Sequence, residues 1–557
     1  EVHSRDIGRK GPETHFVILC VKSDPSSDQC INHAPISYFD LSELLKQRLS
    51  IHLDEEIFNF ITASYGRKVG FLLYKDKHPI IVICIPRLNS TGVFIGNEIV
   101  VFHVESELKD LGKALGCIRE KYLAKEKKPI YLLQKEVNRK TDELKKIRVF
   151  PFSAVRSLSK RLATEMADIT TDVAQKSFSV IGLGALGSQV VLNLVRQGFS
   201  NWKLIDSEIL LPHNFARHGL SAFYRGTSKA VALKQEIDVM LENPKTAAIY
   251  RRFDALKDRK SKGIFDTDFI LDCSASYSVL LALAYTEHPG PRNLSAYYCG
   301  AGFTSVLLAE SSDRSIRLDD LDLQLKIQGL ENPIIRSIYR TSDRNPLVYS
   351  TSCASRTTVL PQDLVSIHAG MITRQLKDVI YDERAKLFVN LICDDGYGVH
   401  VENFIPCEVV VQGCGLWQFR ISRSVLNEMD EYRNQKLPNE IGGVLIGWIN
   451  SFTRTIYVGR ALPAPPDSEE RPYSFTRGKE GLYVKIEDTK RISNEDVYYV
   501  GEWHSHPPGS AVFLGGDDLR SLERISAIML EVGLPGVMLI MGEHDELGCY
   551  VKSRWEE

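Results

Sequence analysis

The sequence predicts an α/β protein of three domains with a mostly parallel central sheet. Its 557 residues exceed the roughly 100–200 residues of a single domain. From about Ser177 onwards, apolar β-rich segments alternate with helical ones, a pattern typical of parallel sheets. Loops rich in Pro and Gly separate another set of apolar strands after Cys407. We therefore predict an α+β domain at 1–160, the parallel-sheet domain at 161–400 and a second α/β domain at 408–557.

Charge and cysteine content narrow the class of protein. Lys and Arg number 69 against 71 Asp and Glu, a balance that gives no electrostatic reason to expect nucleic acid or an anionic membrane as partner. No stretch approaches the roughly 20 apolar residues that span a bilayer. Eleven cysteines, an odd number without a dense framework, indicate reduced thiols. We expect a cytoplasmic protein that binds neither nucleic acid nor membrane.

The first 160 residues mix short strands and helices without a functional motif. Strands are expected at Phe16–Val21, Val69–Tyr74, Pro79–Ile85 and Glu98–Val104, and a helix around Glu105–Tyr122.

A glycine-rich loop follows the first strand of the parallel-sheet domain. The strand Phe178–Ile181 leads into Gly182-Leu-Gly184-Ala-Leu-Gly187 and then a helix. Glycines here let the backbone approach phosphates, and the N–H groups at the helix start attract anions. A second strand ends at Asp206, 206 − 187 = 19 residues later, where a carboxylate can bind ribose hydroxyls. These features predict a Rossmann-like nucleotide site, but they do not separate NAD from ATP.

The residues after Asp206 resemble the signature of the ubiquitin-activating and ThiF/MoeB-like adenylating enzymes. An Asn-x-x-Arg sequence begins at Asn214, 214 − 206 = 8 residues on, and Gly226-Thr-Ser-Lys229-Ala resembles the family's Gly-x-x-Lys-Ala segment. The resemblance covers about 160–400 and implies that Asp206 binds the ATP ribose. It further implies that Asn214, Arg217 and Lys229 face the phosphates, where cations stabilise the departing pyrophosphate. In the family, the arginine often reaches across a homodimer.

One family position differs. The family's Asp-Cys-Thr-Asp sequence is Asp272-Cys-Ser-Ala275 here, so the second aspartate, which in the family positions Mg²⁺ and the acyl adenylate, is an alanine. Either Asp272 or a carboxylate from elsewhere takes over this role, or the site binds ATP but adenylates slowly. Cys353, near Arg356 and the start of a predicted helix at Gln362–Lys377, is the candidate thiol for a thioester, because a nearby cation lowers a thiol pKa.

A second constellation lies near the C-terminus. His504 and His506, two apart on an extended segment, point to one side and so can reach one metal ion, and a carboxylate after a short loop supplies a third ligand. Upstream, Glu440 precedes an apolar segment, Ile441–Gly447, and has the chemistry of a general base that activates a metal-bound water.

These residues resemble the JAB/JAMM family of zinc isopeptidases over about 408–557. Both the His-x-His-Pro core and the upstream Glu-x-Gly-Gly-x-Leu-x-Gly are present. The family's acidic ligand lies eleven residues after the second histidine, and 517 − 506 = 11 selects Asp517. The family's serine three residues before that ligand, an oxyanion donor, is Leu514 here. Ser510 lies in the same loop.

Together the two resemblances imply a bacterial ubiquitin-like conjugation pathway, of the kind found in antiviral defence operons. The central domain would adenylate the C-terminal glycine of a ubiquitin-like protein with ATP and Mg²⁺ and pass it to Cys353. The zinc domain would trim the precursor or cleave the isopeptide bond. A conjugating enzyme and a homodimer through the adenylation domain are the further expected partners, and the N-terminal domain is expected to be a degenerate conjugating-enzyme-like or docking module.

Two alternatives remain at this point. Sulfur-carrier metabolism also joins ThiF-like and JAB-like domains on small carrier proteins, and it predicts a thiocarboxylate product. A binding scaffold is the third hypothesis, in which Ala275 and Leu514 mark two weakened sites that still recognise ubiquitin-like tails.

Overall fold

The computed structural model describes residues 15–27, 34–66, 72–122, 129–153, 158–254, 262–286, 290–340, 347–348, 356–357, 359–393 and 395–554. The chain forms two compact units, Glu1–Arg156 and Ser157–Glu557. Across the described ranges, no helix combines the length and apolar character needed to cross a membrane. The nine cysteines that these ranges hold as free thiols agree with the expectation of reduced thiols.

The first unit is an α+β fold around a four-stranded sheet. The first two strands pair in parallel and the others antiparallel. In sheet order the strands are Phe16–Lys22, His78–Leu88, Phe94–Val104 and Val149–Phe152. A two-stranded hairpin pairs Ile118–Lys121 with Ile130–Leu133, and the helices are Tyr38–Leu49, Leu53–Ala63, Leu108–Ala114 and Thr141–Leu144.

The prediction of a helix around Glu105–Tyr122 is correct for the first half of this segment and wrong for the second half. The helix ends at Ala114, and the chain turns at Gly116 into the strand Ile118–Lys121. Gly116 has φ +71°, and a Cβ there would lie 2.2 Å from the carbonyl oxygen of Asn138. A glycine with positive φ and no room for a side chain stops the helix, although the hydrophobic pattern continues.

The second unit begins with an eight-stranded sheet that confirms the predicted parallel-rich α/β architecture. Five neighbouring strands run parallel, and the last three continue antiparallel. In sheet order the strands are Lys245–Tyr250, Asn201–Asp206, Ser177–Ile181, Phe269–Asp272, Arg292–Cys299, Thr304–Ala309, Lys386–Ile392 and Val399–Phe404. The helices are Lys160–Ala167, Thr171–Ala174, Ala185–Arg196, Lys229–Met240, Lys262–Phe265, Tyr277–Ala284, Leu318–Glu331 and Gln362–Tyr381. In open sheets of this kind, ligands bind at the carboxyl ends of the parallel strands.

A seven-stranded mixed sheet forms the C-terminal part of the same unit. In sheet order its strands are Val409–Cys414, Trp417–Ser422, Thr455–Pro463, Gly442–Asn450, Tyr498–Ser505, Gly536–Met541 and Leu547–Lys552. The helices Arg423–Lys436, Leu482–Ile492 and Gly516–Glu531 accompany it, and a small hairpin pairs Glu469–Arg471 with Ser474–Thr476.

The helix Leu318–Glu331 joins the two sheets. On one side, Leu321 and Leu325 pack in the core of the parallel-sheet domain. On the other, Leu323 packs against Trp448 and Tyr457 of the C-terminal sheet. Arg420 of the C-terminal sheet reaches Asp320 on this helix with two hydrogen bonds, at 2.7 and 2.5 Å. The helix is therefore part of both cores.

Candidate active sites

The two histidines predicted as metal ligands lie side by side at the end of the strand Tyr498–Ser505. Their Nε2 atoms are 3.3 Å apart. Nδ1 of His506 lies 2.7 Å from the carbonyl oxygen of Ala511, which can only accept a hydrogen bond. The His506 proton is therefore on Nδ1, and the lone pair of Nε2 faces its neighbour.

The carboxylate that joins the histidines is Asp518, which corrects the expected ligand Asp517. Asp518 places Oδ1 3.2 Å and Oδ2 3.8 Å from the Nε2 atoms of His504 and His506, respectively. Asp517 is exposed and pairs instead with Arg520. Helix Gly516–Glu531 begins just before both residues, and consecutive helical side chains diverge by about 100°. Asp518 faces the histidines and also accepts a hydrogen bond from the Gly515 backbone N–H.

The three ligand groups fit a metal ion that takes nitrogen and oxygen ligands. The ligand atoms of His504, His506 and Asp518 all lie within 4.8 Å of one another. Burial opposes ionisation of Asp518, but hydrogen bonding and charge from His504 outweigh it and lower the pKa of Asp518. With Asp518 as ligand, the position three residues earlier is Gly515 rather than Leu514, and neither residue carries a hydroxyl group.

Glu440 lies next to this cluster because two strands meet closely. Gly442 is opposite His504 in the sheet. A Cβ at Gly442 would lie 2.3 Å from the Trp503 carbonyl oxygen and 2.9 Å from Cβ of His504. Only glycine permits this approach, which explains the Glu-x-Gly-Gly pattern. Glu440 is buried, and burial together with Asp518 raises its pKa to about 7, against the opposing effect of His504. A carboxylate with this pKa is suited to exchange protons near neutral pH.

Further residues hold the cluster in place, and sequence reasoning missed them. The buried Arg433 donates a hydrogen bond to the carbonyl oxygen of His506 at 3.0 Å. The Ser505 hydroxyl accepts from the Ile441 N–H at 3.1 Å, which ties the glutamate segment to the histidine strand. The Tyr550 hydroxyl donates to the carbonyl oxygen of Val512 and fixes the loop after the histidines. Each contact joins residues far apart in sequence, so no local sequence pattern predicts it.

The three glycines of the glycine-rich loop differ in the space around their Cβ positions. Gly182 has φ +86°, and a Cβ there would lie 2.7 Å from the Ser274 backbone. A Cβ at Gly187 would lie 2.1 Å from the carbonyl oxygen of Gly182. At Gly184, by contrast, nothing described lies within 4 Å of the Cβ position, and no described side chain caps the helix that starts at Ala185. The open space at this helix N-terminus fits a phosphate group.

Asp206 and a buried histidine shape this loop. The two carboxylate oxygens of Asp206 accept hydrogen bonds from the backbone N–H groups of Leu183 and Glu208, at 2.7 and 2.8 Å. Nδ1 of His218 accepts from the Leu220 N–H at 3.1 Å, so its Nε2–H donates to the Leu183 carbonyl oxygen at 2.8 Å. Burial lowers the pKa of His218 to about 4 and keeps it neutral. Sequence reasoning missed His218, although it lies directly after Arg217.

The residues predicted to face the phosphates come after the strand Asn201–Asp206 in the chain. Asn214 accepts a hydrogen bond from the Leu211 N–H within the 3-10 helix Pro212–Ala216. Arg217 is half-buried, and burial lowers its pKa against the opposing effect of Tyr298. Lys229 starts the helix Lys229–Met240 and pairs with Glu208.

Asp272 ends its strand beside the glycine loop and is almost fully buried. Ser274 donates to it through both its N–H and its hydroxyl, and Ser295 through its hydroxyl. Burial raises the pKa of Asp272 to about 6, although these hydrogen bonds oppose the shift. Ala275, at the family's second aspartate position, has φ +53°, a left-handed conformation rare for alanine. Cys353 lies outside the described residues, so its role stays a prediction.

Comparison with known proteins matches both parts of the second unit. The model of the ThiF family matches residues 159–284, and that of the prokaryotic homologs of the JAB domain matches residues 422–547. The chain is 36% identical over 138 residues to a CD-NTase/cGAS isopeptidase of Enterobacter hormaechei subsp. hoffmannii, covering 25% of this chain and 74% of that protein.

Two ATP-dependent ubiquitin transferase-like proteins named Cap2 are also similar. The Enterobacter hormaechei protein is 28% identical over 21% of this chain and 20% of its own length. The Vibrio cholerae protein is 25% identical over 35% of each chain. Thus the chain spans only a fifth to about a third of these relatives.

Among solved structures, PaaA and Escherichia coli MccB with AMPCPP and MccA match. PaaA has a TM-score of 0.31 at 18% identity, over 41% of this chain and 64% of its own. MccB has a TM-score of 0.30 at 14% identity, over 42% and 64%.

Proposed function

Because this chain belongs to the prokaryotic JAB family and carries a ThiF-family domain before it, we propose that it catalyses both the first and the last step in the conjugation of a ubiquitin-like protein. The ThiF domain activates the carboxyl-terminal glycine with ATP, and the JAB domain cleaves the precursor or the isopeptide bond. One observation carries the proposal: a metal-ligand cluster beside a buried glutamate and an open glycine cradle occur in one compact unit.

In the JAB domain, His504, His506 and Asp518 are proposed to hold a zinc ion. When bound, zinc supplies a water molecule whose pKa is lowered towards neutrality. Glu440 accepts a proton from the attacking water and returns it to the leaving amine, which its pKa of about 7 allows. The Ala511 carbonyl group fixes the tautomer of the His506 ring, and Arg433 anchors the His506 backbone.

In the ThiF domain, the free N–H groups at the start of helix Ala185–Arg196 are proposed to bind ATP phosphates beside Gly184. Asp206 binds the ribose, and Asn214, Arg217 and Lys229 stabilise charge on the phosphates. Mg²⁺ is the proposed counter-ion, and Asp272 is the carboxylate that would hold it in place of the missing aspartate at Ala275.

The names of the relatives support the choice of substrate. One relative is an isopeptidase named for CD-NTase and cGAS, and two others are ubiquitin transferase-like proteins. We extend both activities to this chain, with a ubiquitin-like protein as substrate and a conjugating enzyme, docked on the N-terminal unit, as partner. A homodimer through the ThiF domain and transfer to Cys353 complete the proposal.

The test of the ThiF proposal is ATP–pyrophosphate exchange by the full chain, with and without a ubiquitin-like protein that ends in glycine. We expect exchange that depends on this protein and is lost in Arg217→Ala, while ATP binding by calorimetry persists. Protein that binds ATP but exchanges no pyrophosphate with any partner contradicts adenylation and supports the scaffold hypothesis.

The test of the JAB proposal is cleavage of a ubiquitin-like precursor by Glu440→Gln. Loss of a general base typically costs about 10²–10⁴ in rate. Zinc content, measured by mass spectrometry of the intact protein, should match that of the wild type. Cleavage at the wild-type rate would exclude Glu440 as the base.

A further inference from the structure

A cavity of about 250 Å³ lies between the ThiF domain and the C-terminal domain. Asp272 and Ala275 form its wall on the ThiF side, and Lys326 of the shared helix Leu318–Glu331 lines it as well. Asn494 and Asp496, which follow the helix Leu482–Ile492 of the JAB domain, form the opposite wall. The cavity thus joins residues from both domains.

The inner end of the cavity adjoins the nucleotide loop. Asp272 lies at the carboxyl end of its parallel strand, and Ser274, two residues later, touches Gly182 so closely that a Cβ there would be 2.7 Å from the Ser274 backbone. A group in the cavity therefore lies next to the edge of the sheet at which ligands of such sheets bind.

Aromatic rings and carboxylates line the cavity. Tyr277, Tyr297 and Tyr339 contribute their rings. The ammonium group of Lys326 lies 5.0 Å from the centre of the Tyr277 ring and pairs with Asp322 at 2.8 Å and Asp496 at 3.4 Å.

The charges in this lining do not balance. Three aspartates, Asp272, Asp322 and Asp496, line the cavity together with one lysine, Lys326. Asp322 and Asp496 share the ammonium group of Lys326, whereas Asp272 is held by hydrogen bonds from Ser274 and Ser295. The Asp496 side chain is half exposed, so it lies at the mouth and can pair with an incoming group. Aromatic rings beside a surplus of carboxylates favour a cationic side chain.

We propose that this cavity binds the extended segment directly before the carboxyl-terminal glycine of the substrate, and that Asp496 of the JAB domain selects a basic side chain there. The inference rests on the proposed adenylation of such a tail. Small-molecule pockets usually measure roughly 300–1,000 Å³. The volume of the cavity suits one long side chain and short backbone rather than a whole cofactor. The JAB domain thereby contributes a specificity-determining residue to the ThiF reaction.

Binding of labelled peptides to the full chain tests this inference. The probes are fluorescein-labelled octapeptides of mostly alanine that end in glycine, with Arg, Ala or Glu placed in turn at each of the four preceding positions. Fluorescence anisotropy is measured with saturating AMPCPP, so that the nucleotide site is filled and no reaction follows. At one position we expect Arg to bind about tenfold more tightly than Glu, with Ala between them.

Charge exchange at Asp496 provides the decisive comparison. Asp496→Lys should reverse the preference so that the Glu peptide binds more tightly, and Asp496→Asn should remove it. The matched control is Asp488→Lys, which makes the same charge change on an exposed residue of the preceding helix that does not line the cavity, and it should keep the wild-type preference.

Three results would overturn the inference. They are equal affinities for the Arg and Glu peptides at every position, the same preference in Asp496→Lys as in the wild type, and no peptide binding at all. These readouts do not require catalysis. A failure of pyrophosphate exchange would count against the proposed function, whereas a failure of the charge exchange would count against this cavity.

Discussion

Arg420 of the C-terminal sheet and Asp320 of the helix Leu318–Glu331 form a buried ion pair across the boundary of the ThiF and JAB domains. Their side chains are 6% and 2% exposed. The guanidinium group makes two hydrogen bonds to the carboxylate, a geometry that fixes relative orientation as well as distance.

Removal of one partner should weaken this boundary strongly. In Arg420→Met, the Asp320 carboxylate stays buried without its cation, which typically costs about 3–5 kcal/mol. We expect a clear fall in the urea midpoint, followed by tryptophan fluorescence, and recovery of most of it in Asp320→Asn with Arg420→Met. The control is Arg460→Met, which breaks a more exposed pair with Glu331 and should cost less than about 1 kcal/mol. Equal effects of the two single substitutions would contradict a structural role for the buried pair.

Of the adjacent residues Asp517 and Asp518, only Asp518 should contribute to metal binding. Asp518→Asn removes the carboxylate beside the histidines, so we expect the zinc content of purified protein to fall and the dissociation constant to rise at least about tenfold. Asp517→Asn changes an exposed residue paired with Arg520 and should leave zinc binding unaltered. Competition with a chromogenic chelator measures both. The reverse pattern would restore Asp517 as the ligand.

Substitutions of two glycines in the nucleotide loop should have different effects, one on ATP binding and the other on stability. Gly184→Ala adds a methyl group to open space, so we expect nearly wild-type thermal stability but weaker ATP binding by calorimetry. Gly187→Ala places the same group 2.1 Å from the Gly182 carbonyl oxygen and should destabilise the domain by about 1–3 kcal/mol. If Gly184→Ala bound ATP as the wild type does, the phosphates would lie elsewhere.

Buried His218 should make stability depend on pH. Its folded pKa of about 4 lies below the ordinary histidine value of 6.5, so between these values the unfolded chain binds more protons and stability falls as the pH falls. The loss from this group between pH 7.5 and pH 5 is about 2 kcal/mol. We expect His218→Gln to be less stable at pH 7.5 but to show a flatter profile in urea unfolding. Parallel profiles for the two proteins would exclude this contribution.

Local patterns predicted the architecture of the second unit well. Strands ending at Ile181 and Asp206 and the loop between Gly182 and Gly187 follow from hydrophobic periodicity and turn chemistry, which act over a few residues. The pairing of His504 with His506 follows equally from the alternation of side chains along an extended segment.

The remaining features depend on contacts between distant residues. The resemblance to the JAB/JAMM family, with its eleven-residue spacing, favoured Asp517. The helix that starts at Gly516 turns Asp518 towards the histidines, and this depends on tertiary contacts. Arg433 and His218 resemble ordinary polar residues until the fold brings them to His506 and Leu183. The helix prediction beyond Ala114 failed because one glycine conformation outweighed a continuing apolar pattern.

The helix Leu318–Glu331 determines whether the ThiF and JAB domains of this chain can be separated. Leu323 is covered by the C-terminal sheet, while Leu321 and Leu325 are covered by the parallel-sheet domain. A fragment truncated between the domains would present an apolar stripe and an unpaired Asp320 to solvent. Dividing this chain between the two domains would therefore require compensating changes along this helix, because the exposed apolar surface would favour aggregation of the separated parts.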